Sequence, residues 1–111
     1  MMRPAMARNS TPPKENPAEG RPQWTIFSNH AHVLVCIARN PEETVREIAR
    51  KVGITERAVH RILGDLEQAE VIARERNGRR NSYTLSLDRP LRHPLEANTT
   101  IAEVIRVIEN A

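Results

Sequence analysis

The stretch Thr44 to Leu66, TVREIARKVGITERAVHRILGDL, leaves little freedom in what the chain can form. Thr44-Val45-Arg46-Glu47 has the form of a capping box, in which the Thr hydroxyl and the Glu carboxylate each satisfy a backbone N–H left unpaired at a helix start. Val45, Ile48, Ala49 and Val52 follow at helical spacing, leaving Arg46, Glu47, Arg50 and Lys51 for solvent. Gly53 comes next and can take the left-handed conformation that closes a helix. Thr55 suits the N-cap of a second helix, and Ile54 before it can fold onto Val59 as a hydrophobic staple. In that helix Val59, Ile62, Leu63 and Leu66 face inward. Arg57, His60, Arg61 and Gly64 recur at i, i+3, i+4, i+7 and form one solvent-facing stripe with no large apolar side chain.

The next segment, Val71 to Leu87 (VIARERNGRRNSYTLSL), contains Asn77-Gly78, the strongest short-range signal for a β-hairpin. With those two residues as the loop, Arg76 pairs with Arg79, Glu75 with Arg80, Arg74 with Asn81, and Ile72 with Tyr83. One face is then apolar at its base, through Ile72, Tyr83 and Leu85, and basic at its tip, through Arg74, Arg76 and Arg79. Like charges set opposite one another cost stability. The arrangement therefore suggests an anionic partner, the alternative being a solvated ribbon whose arginines only guard an exposed edge.

The helical pair, with small Ala49 where helices cross, a turn glycine at Gly53 and apolar residues at Ile48, Val52, Ile54, Val59 and Ile62, resembles the helix-turn-helix of bacterial and archaeal regulators. The hairpin after it resembles the wing of a winged-helix domain. From Trp24 to Leu87 the order helix, helix, recognition helix, hairpin is similar to the winged helix-turn-helix regulators of the MarR-like and ArsR-like kind. The final helix is shorter than the long dimerisation helices usual in MarR-like proteins, and there is no Cys-x-Cys pair such as many ArsR-like metal sensors use. The resemblance implies a mostly α fold with a small β-hairpin, a three-helix core plus wing followed by a C-terminal helix. It also implies a regulator of transcription that binds double-stranded DNA. The helix from Thr55 would enter the major groove, where Arg57 and Arg61 can each donate two hydrogen bonds to a guanine and His60 is a weaker base contact. Thr44 and Thr55 sit at helix N-termini suited to phosphate, and Gly64 lets the helix lie close to the backbone. Arg74, Arg76, Arg79 and Arg80 on the wing would meet phosphates or the adjacent minor groove. Local alternatives exist for the helix: Arg57 can simply solvate it, and Arg61 can bridge Asp65 at i+4.

At 111 residues there is room for one domain. With 3% aromatic residues the core must be mostly aliphatic. The net charge of +3 alone does not suggest nucleic acid. Its placement does, since Thr44 to Arg80 holds nine Lys/Arg against six Asp/Glu and the basic excess gathers at the hairpin tip. Residues 1–23 carry five of the eight prolines and few large apolar groups, the composition of a disordered N-terminal arm. Residues 24–87 are the expected DNA-binding domain. Within it, Ser28 is a plausible N-cap for a helix running to about Ala38, with Phe27, Ala31, Leu34, Val35 and Ala38 as its main apolar face. Val33, Cys36 and Ile37 are apolar too, so this helix needs cover on a second side, for which a second subunit is a candidate. Residues 88–98, with two prolines and no periodicity, form a connector. Residues 99–111 form an amphipathic helix with a capping box at Thr100 to Glu103 and a stripe of Ile101, Val104, Ile105 and Ile108. That helix either closes its own domain or pairs with a copy of itself, and spare apolar surface on the first helix favours a homodimer through the first and C-terminal helices.

A single cysteine excludes an intrachain disulfide. With no apolar run of membrane-spanning length and no signal-peptide core, the expected setting is the cytoplasm, at the nucleoid. No spacing of Ser, His and acidic residues and no glycine-rich phosphate loop points to an enzyme, and no cofactor is implied. Two rivals to DNA binding remain. One is a winged helix used as a protein-interaction module, which the basic wing disfavours because such surfaces expose apolar anchors. The other is a metal-responsive regulator, in which His32 and Cys36, at i, i+4, join their copies in a dimer to make a four-ligand site. For Cys36 the alternative is a small buried hydrophobe.

Overall fold

The computed structural model describes residues 22–110. The disordered arm expected over residues 1–23 lies almost wholly outside them. Four helices and one hairpin follow in order: α1 Asn29–Arg39, α2 Val45–Val52, α3 Glu56–Gln68, β1 Ile72–Asn77, β2 Arg80–Leu85 and α4 Ile101–Glu109, with a short 3-10 turn at Pro94–Glu96 before α4.

The helix-turn-helix forms as its local signals demand. Thr44 accepts a hydrogen bond from the Glu47 N–H and Thr55 one from the Ala58 N–H. Gly53 closes α2 at φ 88, in the left-handed region, where a Cβ would be strained. Only half of the box expected at Thr44 forms. Glu47 turns its carboxylate to Arg50, one turn along the helix and 2.6 Å away. At Thr100 both halves of the box close, Glu103 accepting from the Thr100 N–H although Arg106 stands at the same i+3 spacing.

Ile48, Val59, Ile62 and Leu63 are removed from water almost completely, together with Val33 and Ile37 of α1. At about 1.5–3 kcal/mol for each such side chain, these six outweigh the surface interactions taken together. The deepest residues of α1 are Val33 and Ile37, on the side that the sequence pattern assigned to secondary cover. The cover comes from the chain itself. α4 folds back across α1 and places Ile101 and Ile105 in the same core cluster. The connector is pinned on the way, Leu91 donating to the Thr99 carbonyl and the Ile101 and Ala102 N–H groups reaching back to Arg89 and Leu87.

The hairpin register departs from the one centred on Asn77-Gly78. Asn77 pairs with Arg80, Arg76 with Asn81, Glu75 with Ser82, Arg74 with Tyr83 and Ile72 with Leu85, so the two loop residues are Gly78 and Arg79. A loop of Asn77-Gly78 would need positive φ at both positions. Here Gly78 alone has it, at φ 66, and Asn77 stays in the strand. The glycine-first arrangement is that of the II′ class and spares the asparagine a left-handed backbone. The slip is of two residues, which preserves the pleat, so Ile72, Tyr83 and Leu85 still face the core as expected. Tyr83 also donates its N–H to the Pro41 carbonyl, which anchors the outer strand to the α1–α2 connector.

If α4 is a wall of this core, Ile105→Ala should lower the unfolding free energy by about 2–4 kcal/mol. Urea denaturation of the variant checks this, and a midpoint equal to the parent's would mean that α4 does not close the domain.

Candidate nucleic-acid interface

The exposed face of α3 carries the stripe expected of it. Arg57, His60, Arg61 and Gly64 are all exposed, and the first three have no hydrogen-bond or ionic partner among the described residues. The local alternative for Arg61 is not used. Asp65, one turn on, is held instead by His30 of α1, with Nε2 and Oδ2 2.9 Å apart. Arg57 likewise stands in solvent. Gly64 is the eye of this face: a Cβ built there meets nothing within 4 Å. Nothing among the described residues calls for a glycine in mid-helix.

The wing arginines divide into different situations. Arg74 makes two hydrogen bonds to Glu67, at 2.8 and 3.0 Å, tying the base of the wing to the last turns of α3. That carboxylate holds the Arg74 guanidinium protonated to still higher pH than usual. Arg76 donates to the Gly78 carbonyl of its own turn. Arg80 reaches Glu42 at 3.1 Å, both partners more than half exposed. Arg79, in the turn, has no partner among the described residues.

Thr44 and the wing tip line one cleft. A cleft of about 410 Å3 lies between the start of α2 and β2, lined by Thr44 and Val45 on one side and Arg79, Arg80 and Asn81 on the other. Thr44 and Thr55 spend an oxygen lone pair on their cap bonds and retain the hydroxyl hydrogen to donate outward. The Asn81 Oδ1 is buried at the cleft without a hydrogen-bond partner. Arg46 belongs with this set and was read from sequence only as a solvent-side residue. The other two cations of α2 are occupied, Arg50 by Glu47 and Lys51 by Glu43, whereas Arg46 is exposed and unpaired among the described residues. No local signal separates it, since Glu43 stands three residues before Arg46 and pairs with Lys51, eight residues on.

The histidines and the cysteine of α1 do not converge. His32 bonds Asn29, His30 is taken by Asp65, and among the described residues no group of three or more His, Cys, Asp or Glu comes together. Cys36 is half-buried against the core, and that burial raises its thiol pKa. It packs as a small hydrophobe.

Residues 29–73 match the model of the winged helix-turn-helix DNA-binding family. The fold is a winged helix-turn-helix. Solved structures agree on the architecture. A predicted DNA-binding transcriptional regulator from E. coli superposes with a TM-score of 0.55 at 15% identity, covering 77% of this chain and 78% of that one. MepR, a transcription regulator of the Staphylococcus aureus multidrug efflux pump MepA, superposes with a TM-score of 0.52 at 21% identity over 79% of this chain, which spans 61% of the length of MepR. No curated protein sequence matches the chain. α3 is accordingly the second helix of the helix-turn-helix, and the hairpin takes the place of the wing in the winged fold.

Since Gly64 packs against nothing, Gly64→Ala should raise stability by about 0.5–1 kcal/mol through helix propensity alone. A thermal melt a few degrees above the parent's is the expected result, and a lower one would show that the glycine has a structural role.

Proposed function

We propose that the chain is a sequence-specific regulator of transcription that binds double-stranded DNA as a homodimer, in the cytoplasm at the nucleoid. The observation that carries this reading is the face of α3, where Arg57 and Arg61, without partners among the described residues, share the stripe with a glycine that no packing there explains. The two solved structures of the same fold are of transcription regulators, which supports it. Among the described residues no helix is long and apolar enough to cross a membrane.

In this reading α3 lies in the major groove. Arg57 and Arg61 donate in pairs to guanine O6 and N7, His60 contributes a weaker base contact, and Gly64 admits close approach of the helix to the DNA. The Thr44 and Thr55 hydroxyls and Arg46 meet phosphates near the helix starts. Arg79 reaches the backbone or the minor groove beside it. Arg76 and Arg80 join it by exchanging the Gly78 carbonyl and Glu42 for phosphate, an exchange that costs little because an exposed ion pair is worth only about 0–1 kcal/mol. Arg74 acts through position, holding the wing against α3. The dimer forms through α1 and α4, on the surfaces these helices leave uncovered by each other. An inverted repeat with half-sites about one helical turn apart is the target such a dimer selects.

Selection on a random duplex pool, with sequencing of the bound sites, tests the reading directly. Arg57→Ala should cost about 1–3 kcal/mol at a single base pair and relax preference there. Arg79→Ala combined with Arg80→Ala should weaken binding to every duplex and reduce the slope of log K against log salt by about 1–2. Gly64→Ala should bind more weakly while folding more stably. Retention of parental affinity and preference by all three would place the interface elsewhere on the molecule.

A further inference from the structure

Asp65 is the only acidic residue three or four positions from either arginine of the α3 stripe. At i+4 from Arg61 it is the natural partner of that guanidinium, because side chains one turn apart lie on the same side of a helix. The structure engages it elsewhere. Asp65 Oδ2 lies 2.9 Å from His30 Nε2, on a helix that begins 35 residues earlier in the pairing, and Arg61 has no partner among the described residues. An ionised carboxylate only accepts, so Nε2 carries the proton of this bond whether the ring is neutral or charged. Glu67, the other carboxylate in the C-terminal half of α3, is likewise taken from outside the helix, both of its oxygens accepting from Arg74 of β1.

The His30–Asp65 contact does little for folding. The two side chains are 40% and 51% exposed, and pairs so open to water add little stability. Its effect on the stripe is larger, since it decides whether the Arg61 guanidinium meets a carboxylate or solvent.

We propose that His30 is a positioning residue for base recognition: by engaging Asp65 it withholds from Arg61 the one carboxylate in reach along the helix and leaves that guanidinium free for a base edge. The inference rests on the reading of Arg61 as a base contact and names what keeps Arg61 available. His30 belongs to α1 and acts through Asp65. Paired donation to guanine O6 and N7 uses N–H groups that a carboxylate gripping the guanidinium would occupy, so the two contacts compete. Without the histidine, Asp65 returns to Arg61 and that pair has to break before the base is read. At the strength of an exposed i,i+4 pair, the loss is about twofold in preference at one base pair.

The test uses the full chain. In the free protein the Nε–H resonance of Arg61 is followed by NMR, and on the selected duplex Arg61→Ala identifies the base pair that Arg61 reads. His30→Ala should shift the resonance and slow its exchange with water while keeping the parent's circular dichroism. On DNA it should lose about twofold at that base pair and nothing at the one read by Arg57. Adding Asp65→Ala should restore both the resonance and the preference, because the competitor is then gone. Asp65→Ala alone should keep the parental preference, as should His30→Gln, whose amide can donate to Asp65 in place of the ring. An Arg61 resonance unmoved by His30→Ala overturns the proposal. So does an equal loss from His30→Ala and Asp65→Ala, which would make the pair only a clamp between α1 and α3, and so does a loss that Asp65→Ala leaves unrestored. The two readings fail in different ways. Unchanged preference at every base pair in Arg61→Ala removes the DNA reading of Arg61 and this inference with it, whereas a change in Arg61→Ala with none in His30→Ala removes this inference alone.

Discussion

Every helix of the molecule leans on α1. A helix apolar nearly all round cannot be stable at a surface, and burying Val33 and Ile37 to the last of their area requires walls on opposite sides. α2 and α3 supply one set and α4 the other. This single demand sets the order of the fold. It holds the helix-turn-helix rigid with the solvent stripe of α3 outward, and it takes the C-terminal helix, whose apolar stripe had no use locally, into the same core. Ile101 and Ile105 therefore do structural work that a dimer seam would otherwise have claimed.

The charges are arranged with as much consequence as the core. In the helix-turn-helix and wing, the acidic side chains neutralise one class of cation and leave another. Glu47, Glu43, Glu67 and Glu42 take Arg50, Lys51, Arg74 and Arg80. Arg46, Arg57, Arg61 and Arg79 have no partner among the described residues. Each pair at the surface is worth little in stability, so its effect is better seen as geometric: Glu67 with Arg74 fixes the wing to α3, and His30 with Asp65 fixes the end of α3 to α1. Both contacts hold α3, the element whose outward face carries the unpaired arginines. A free cation on a rigid helix is held in place before any partner arrives and loses less entropy on binding.

The sequence by itself determined whatever is encoded within one or two turns of chain. Thr44, Thr55 and Thr100 announce helix starts because a hydroxyl can accept from a backbone N–H three residues on, and Gly53 announces a stop because only a residue without a Cβ enters the left-handed region freely. Periodicity then sorted Val59, Ile62, Leu63 and Leu66 from Arg57, His60 and Arg61 without reference to anything distant. The tertiary structure decided the rest. The hairpin register moved by two residues, a slip that periodicity cannot detect because it leaves every side chain on its face, and the outer strand is anchored by Tyr83 bonding to Pro41 far back in the chain. Which arginines are free was equally illegible, since Glu42 lies 38 residues from Arg80 and His30 lies 35 from Asp65. The partner of α4 could be its own domain or a copy, as an amphipathic stripe states only that it must be covered. Local signals need no knowledge of the fold, whereas register, ion pairing and the choice of cover depend on which distant surfaces folding brings together.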